Sequence, residues 1–234
     1  QPKVHMDSNG IIGVEALLRV KDTSLNISIQ QLIKMAEEVG FISEITEWVI
    51  ENSIRRVKEW KERGIAINVA INLSLLDLKD SSIVDFTKVC LEAYGVDPSF
   101  IEFELTERSI IEDERRVMDA LRKIKEVGIK LSLDDYGSGY NSLNYLVNSD
   151  FYFDYIKIDK SLINNITEVQ GRLLCEGIIK TAHVLGAKVI AEGVETEEQV
   201  NILKAIGCDI IQGYYFYKPM PEDQLIYHFT ILNK

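Results

Sequence analysis

The feature that most constrains the fold is a regular alternation of short apolar runs with helical patterns along almost the whole chain. About eight runs have the length and alternation of strands, and helical patterns separate nearly all of them. This order is typical of a parallel sheet covered by helices. Eight such units in 234 residues predict one domain, a closed (β/α)8 barrel over residues 1–234. An open doubly wound sheet is the alternative, but no glycine-rich phosphate loop follows the first strand.

The N-terminal end departs from this parallel pattern. Two predicted strands, Lys3 to Asp7 and Gly13 to Val20, flank the turn Ser8-Asn9-Gly10. Asn-Gly between two alternating runs is a strong hairpin signal, so we expect one antiparallel strand in the barrel. Along the second strand, Glu15 and Arg19 should point inward on the same face.

Composition limits the classes of partner and the compartment. The net charge of −11 argues against sequence-blind binding of duplex nucleic acid or of an anionic membrane. Cys90, Cys175 and Cys208 are far apart and lack metal-binding spacing, which favours a reducing cytoplasm. No run has membrane-spanning length. Because a strand pattern begins almost at Gln1, we expect a domain excised from a longer protein that carries regulatory domains.

The stretch Lys130 to Tyr140, KLSLDDYGSGY, is a predicted strand that ends in two adjacent carboxylates and a Gly-Ser-Gly turn. Strand alternation places Asp134 on the inner face, with Asp135 at the lip. Adjacent anions repel each other unless a cation lies between them, and carboxylate oxygens suit Mg²⁺, Mn²⁺ and Ca²⁺. The alternative is a solvated Asp-Asp turn that caps the next helix.

Other polar residues fall at the ends of the remaining predicted strands. They are Asn72, Glu104, Lys157, Asp159, Glu192 and Gln212, and Glu15 joins them from within the second strand. The carboxyl ends of barrel strands form the active face, so these side chains should meet there. Crowded carboxylates raise each other's pKa, which favours a bound metal. Two ions about 4 Å apart would suit phosphoester hydrolysis. Glu102, one layer deeper, is predicted to pair with a buried lysine or arginine.

Several roles stay open at this point. Lys157 either orients a water molecule or only pairs with a neighbouring acid. Arg19 either binds a phosphate or guanine or likewise only pairs with a neighbouring acid. Glu107 either bonds the Gly137-Ser138-Gly139 turn through Ser138 or simply begins the next loop.

The ordered motifs resemble those of EAL domains, the bacterial cyclic di-GMP phosphodiesterases. The resemblance covers the whole chain and rests on Glu15-Ala16-Leu17-Leu18-Arg19, Asn72-Leu73-Ser74, Glu104-Leu105-Thr106-Glu107, Asp134-Asp135-Tyr136-Gly137-Ser138-Gly139-Tyr140, Lys157-Ile158-Asp159, Glu192-Gly193-Val194-Glu195-Thr196 and Gln212-Gly213-Tyr214. It departs at Val20, where the family often has tryptophan. The segment Asn148 to Asp154 is longer than usual, close to the family's dimer region.

The resemblance implies a barrel with one antiparallel strand and hydrolysis of one phosphodiester bond of cyclic di-GMP to linear 5'-pGpG. It implies Mg²⁺ or Mn²⁺ as cofactor. Ca²⁺ accepts the same oxygen ligands with looser geometry, so we expect it to bind and inhibit. A homodimer through the region after the Asp134-Asp135 loop is also implied. The alternative is a catalytically silent receptor that only binds cyclic di-GMP.

The resemblance also assigns residues to roles. The metal ligands or their direct supports would be Glu15, Asn72, Glu104, Asp134, Asp135 and Glu192. Catalytic roles would fall to Lys157, Glu192, Glu107 and Asp159, with Lys157 positioning the attacking water and Glu107 holding the loop. Arg19, Gln212, Gln1 and Glu195 would contact the dinucleotide.

Overall fold

The computed structural model describes residues 1–20, 27–79, 82–107, 114–137 and 152–232, without the side chains of residues 114–115 and 230–232. The strands are β1 (Pro2–His5), β2 (Ile11–Glu15), β3 (Asn68–Asn72), β4 (Ile101–Thr106), β5 (Lys130–Tyr136), β6 (Tyr155–Ile158), β7 (Lys188–Glu192) and β8 (Ile210–Gln212). The helices are α1 (Ile29–Val39), α2 (Ile42–Glu62), α3 (Leu75–Lys79), α4 (Ser82–Tyr94), α5 (Glu114–Val127), α6 (Lys160–Ile163), α7 (Val169–Val184), α8 (Glu197–Ala205) and α9 (Glu222–Leu232).

The sheet closes on itself in sequence order from β1 to β8. Strand β1 is antiparallel to both β2 and β8, and every other neighbouring pair is parallel. The predicted (β/α)8 barrel with one antiparallel strand is therefore confirmed. The carboxyl ends of β2 to β8 meet at one opening, which also receives the start of β1.

The N-terminal hairpin forms as predicted, but its second strand is shorter. Asn9 adopts a left-handed backbone with φ of 52°, and the His5 nitrogen donates to the Gly10 oxygen at 3.0 Å. Strand β2 ends at Glu15, so the predicted extension to Val20 is wrong. Arg19 lies beyond the strand, and strand alternation does not orient its side chain.

Helix ends follow the capping signals in the sequence. Ser28 and Thr196 each form a capping box, with Gln31 and Gln199 respectively, at the starts of α1 and α8. The short helices α3 and α6 were not predicted. The helix predicted near Tyr140 to Val147 lies outside the described residues.

Strand β4 shows how the barrel separates two environments. Ile101, Phe103 and Leu105 are fully buried in the hydrophobic core, where a large apolar side chain contributes about 1.5–3 kcal/mol. Glu102 and Glu104 alternate with them, so their side chains enter the barrel interior, where both contact Lys3. None of the helices in the described ranges combines the length and apolar character needed to cross a membrane.

Candidate metal and catalytic site

A β-bulge brings the two adjacent aspartates to the same site. In the pairing of β5 with β6, Leu133 lies opposite Ile156 and Tyr136 lies opposite Ile158, so Asp134 and Asp135 together face one residue of β6. Asp135 has a φ of 55°, in the left-handed region that most side chains avoid. Regular strand alternation would direct these two carboxylates to opposite faces of the sheet. The bulge lets both reach the same opening.

Lys157 is the residue opposite the bulge and the centre of an ionic cluster. Its Nζ lies 3.0 Å from Glu104 Oε2, 3.0 Å from Asp134 Oδ1 and 2.8 Å from Glu192 Oε1. The Lys157 side chain is only 1% exposed. One buried ammonium group therefore holds three carboxylates from β4, β5 and β7 against their mutual repulsion.

Glu104 also contacts a second lysine, deeper in the barrel interior. Lys3 Nζ lies 2.7 Å from Glu104 Oε1 and 2.8 Å from Glu102 Oε1, with all three side chains almost fully buried. The predicted pairing of Glu102 with a buried cation is confirmed, and the cation is Lys3. Both oxygens of Glu104 thus contact lysines, and its role as a metal ligand or a direct support of the ligands stays a prediction.

The other side of the opening is organised by amide groups. Asn72 Nδ2 donates to Glu15 Oε1 at 2.8 Å, and Gln212 Nε2 donates to Glu15 Oε2 at 2.6 Å. Gln212 is 3% exposed, which places it beneath Glu15. Glu15 is therefore fixed at the rim by two neutral donors, one on each carboxylate oxygen.

Burial and neighbouring charges separate the acids by their pKa values. Burial raises the pKa of Asp134 to about 6 and that of Glu192 to about 8, although Lys157 opposes both shifts. Burial would also raise the pKa of Glu104, but Lys157 and Lys3 outweigh it and lower this pKa to about 2. Lys157 itself has a raised pKa, because the acids around it overcome the cost of burying its charge.

The residues at the rim fit a divalent cation. One ligand atom from each of Asp134, Asp135 and Glu192 lies within 4.8 Å of the other two, and all three side chains remain partly accessible. Oxygen ligands of this kind are those that Mg²⁺, Mn²⁺ and Ca²⁺ take. Glu15 also acts electrostatically on Asp135 and Lys157, so it belongs to the same opening.

Two of the predicted substrate contacts, Gln1 and Arg19, line a cavity of about 600 Å³ that Glu15 also borders and that otherwise lies mainly between β2, α2 and residues 219–225. Arg19 is exposed there, and its Nη1 donates to the Leu18 oxygen at 2.8 Å. Gln1 Nε2 donates to the Tyr217 oxygen at 3.1 Å. The strand extension on which the inward orientation of Arg19 was predicted is absent, because β2 ends four residues earlier at Glu15, so that orientation stays a prediction.

Asp159 and Glu195 form local contacts at the same end of the barrel. Asp159 caps helix α6 by accepting from the Ser161 nitrogen at 2.9 Å. Lys160 Nζ lies 2.6 Å from Glu195 Oε1 in an exposed ion pair. These contacts give both residues a structural role and leave their predicted functional roles as predictions.

Glu107 lies directly after β4 and is 1% exposed. Burial, followed by the charge of Glu107, raises the pKa of Tyr136, which places this carboxylate near the end of β5. Ser138, its predicted partner, lies outside the described residues, as does most of the segment Asn148 to Asp154.

Sequence comparison identifies the family. The sequence profile of the EAL domain matches residues 1–219. The chain belongs to the EAL domain family. The signalling protein YkoW of Bacillus subtilis is 34% identical over 226 residues, which cover 96% of this chain and 28% of YkoW.

Pseudomonas aeruginosa MucR, named a bifunctional diguanylate cyclase/cyclic di-GMP phosphodiesterase, is 34% identical over 229 residues, which cover 97% of this EAL domain and 33% of MucR. This EAL domain therefore spans a third or less of the length of these two curated relatives. A solved structure of the MucR phosphodiesterase in complex with c-di-GMP superimposes with a TM-score of 0.89, at 34% identity over 96% of this chain and 92% of that one.

Sequence reasoning missed Lys3. Two signals were present: Lys3 is two residues from Gln1 and so shares its side of the chain, and Glu102 required a buried cation. The sequence alone does not connect these two signals. Strand β1 runs antiparallel to its neighbours, so the ends of the other strands do not show which of its residues lies at the level of Glu102.

Proposed function

We propose that this EAL domain is a metal-dependent phosphodiesterase that hydrolyses one phosphodiester bond of cyclic di-GMP. The observation that carries the proposal is the convergence of Asp134, Asp135 and Glu192 around Lys157, at the opening that also holds Glu15 and Asn72. Relatives named as phosphodiesterases and a related structure in complex with c-di-GMP support the choice of substrate.

The proposed cofactor is Mg²⁺ or Mn²⁺. The residues that would hold it are Asp134, Asp135 and Glu192, with Glu15, Asn72 and Glu104 as further ligands or supports. Bound there, the cation would lower the pKa of a water molecule and neutralise charge on the attacked phosphate. Ca²⁺ has looser geometry and is expected to bind and inhibit.

The protein's own groups hold the reacting atoms in place. Water oxygen bonds to phosphorus, one P–O3' bond breaks, and the ribose oxygen leaves with a proton, which gives linear 5'-pGpG. Lys157 fixes Asp134 and Glu192 and supplies positive charge next to the phosphate. Asn72 and Gln212 orient Glu15 through its two oxygens. We also assign supporting roles to Glu107 and Asp159, at the ends of β4 and β6.

Recognition of the dinucleotide is assigned to Gln1, Arg19, Gln212 and Glu195. Arg19 and Gln1 border the cavity beside Glu15, where an exposed guanidinium suits a phosphate or a guanine. Gln212 is almost fully buried, so we expect it to act mainly through Glu15 and Gln1, whose Oε1 accepts from Gln212 Nε2 at 3.4 Å. Glu195 pairs with Lys160 through Oε1 in an exposed position, from which it would contact the substrate.

The test is a product assay with the purified chain. Incubation with cyclic di-GMP and Mn²⁺ or Mg²⁺ should give 5'-pGpG on chromatography, and EDTA or Ca²⁺ should stop the reaction. Tight binding of cyclic di-GMP without product would contradict catalysis and support the receptor function instead.

A regulated assembly is the second part of the proposal. We propose that residues 1–234 form one catalytic domain of a longer signalling protein and that this domain forms homodimers through the region after Asp135. Light scattering at micromolar concentration should give twice the monomer mass of 26.7 kDa. A monomer at every concentration would contradict the dimer.

A further inference from the structure

Lys3 is a buried lysine that the proposed chemistry does not use directly. It lies on β1, and its partner on β2 is Gly13, which places no side chain beside it in the barrel interior. The Lys3 side chain is 3% exposed. Burying an ammonium group is unfavourable unless it is paired, and Lys3 is paired twice, with Glu102 and with Glu104.

The two oxygens of Glu104 are divided between two lysines. Oε1 lies 2.7 Å from Lys3, on the side of the barrel interior, and Oε2 lies 3.0 Å from Lys157, on the side of the rim. Charges therefore alternate from Glu102 through Lys3, Glu104 and Lys157 to the carboxylates at the opening. The orientation of Glu104 depends on Lys3, since rotation of the carboxylate would break that contact.

We propose that Lys3 is a positioning residue for metal binding, which it serves by holding Oε1 of Glu104 so that Oε2 stays directed to the rim. Glu102 is the counter-ion that keeps Lys3 in this place. The inference rests on the proposed metal-dependent function. Outer partners that orient metal ligands typically change affinity or activity about 10- to 100-fold when removed.

A purely structural role for Lys3 makes a different prediction. In that case Lys3 only neutralises Glu102, and removing both charges should restore the protein completely. The variants K3M, E102M and K3M/E102M separate the two roles. Methionine keeps much of the length of both side chains but supplies no donor for Glu104, and the double variant leaves no unpaired buried charge beneath the site.

The measurement is a titration of the purified variants with Mn²⁺, followed by electron paramagnetic resonance of the free ion, together with urea unfolding in EDTA. We expect K3M to lose stability and to bind Mn²⁺ about tenfold more weakly. The double variant should recover most of the stability but not the Mn²⁺ affinity. K125M is the matched control, because Lys125 forms a 2.7 Å pair with Asp154 away from the rim; its Mn²⁺ affinity should equal that of the wild type.

The outcomes are distinguishable. Wild-type Mn²⁺ affinity in K3M/E102M would overturn the positioning role and leave the proposed function intact. Failure of the wild-type chain to bind Mn²⁺ would overturn both. If K3M does not fold, the double variant still decides the question, because its affinity is compared with that of E102M, in which Lys3 and Glu104 remain paired.

Discussion

The two sides of the barrel opening hold their acids by different means. On the β5–β7 side, the ammonium group of Lys157 contacts three carboxylates at 2.8–3.0 Å. On the β2–β3–β8 side, the single carboxylate of Glu15 accepts from two neutral amides at 2.6 and 2.8 Å. We call these the ionic side and the amide side.

The difference shows where electrostatic energy is stored. The ionic side concentrates like charges in a buried place, so it gains most from a cation and loses most when a charge is removed. The amide side positions one acid with hydrogen bonds that neither add nor remove charge. Changes on the ionic side should therefore have larger effects on metal binding, stability and pH dependence.

The largest effect is expected for Asp135→Ala on the ionic side. Removing an outer partner of a metal ligand already costs about 10- to 100-fold, so removing a proposed ligand should lower kcat more than about 100-fold. Steady-state production of 5'-pGpG measures this. The matched control is Asp119→Ala, which removes an exposed partner of Arg122 and should keep wild-type activity. More than a tenth of wild-type activity in Asp135→Ala would contradict the assignment.

The second effect concerns stability and comes from Lys157→Met. Removing one partner of a buried ion pair typically costs about 3–5 kcal/mol, because the remaining charges lose their counter-ion. We expect a loss of this size in the free energy of unfolding at pH 8 in EDTA. The loss should shrink at pH 5, where the carboxyl groups bind protons, and on addition of Mn²⁺. A loss below about 1 kcal/mol at pH 8 would show that the cluster does not store this energy.

The third prediction concerns pH. The folded pKa values of Asp134 and Glu192, about 6 and 8, exceed the ordinary values of 3.8 and 4.5. At these two acids the folded state binds more protons than the unfolded state, so stability without metal should fall as pH rises from about 4 to about 6. Above pH 6 the further fall from Glu192 is opposed by the N-terminal amine of Gln1, whose pKa burial lowers from 8.0 to about 6. Glu104, with its lowered pKa, contributes the opposite slope only below 4.5.

Urea unfolding in EDTA at pH 5, 6, 7 and 8 measures this slope. Glu192→Gln should remove the contribution of that carboxyl group to the slope. Mn²⁺ competes with the same protons, so its affinity should rise over the same range of pH. Stability that is constant or rising between pH 5 and pH 6 in EDTA would contradict the charge assignment on the ionic side.

The smallest effect is expected on the amide side, for Gln212→Leu. This change removes one donor to Glu15, while Asn72 still holds the other oxygen. The expected cost is about 1 kcal/mol in the free energy of unfolding and about tenfold in Mn²⁺ affinity. An effect as large as that of Asp135→Ala would erase the distinction between the two sides.

The sequence predicted much of the barrel and most members of the site. The elements were predictable because alternating patterns and caps such as Ser28 are local signals. The site was predictable because strand ends such as Glu192 meet once the sheet closes into a barrel. The bulge at Asp135 was not predicted, because a left-handed φ at an aspartate depends on pairing with β6. The early end of β2 was likewise not predicted, so strand alternation does not extend to Arg19. Lys3 was missed because its role requires the register of the antiparallel strand.

The most direct test of a metal held at this opening is diffraction from crystals soaked in Mn²⁺, recorded at the manganese absorption edge. An anomalous peak about 2 Å from carboxylate oxygens of Asp134, Asp135 and Glu192 is predicted. The absence of a peak there, in crystals that bind Mn²⁺ elsewhere or not at all, would contradict the account.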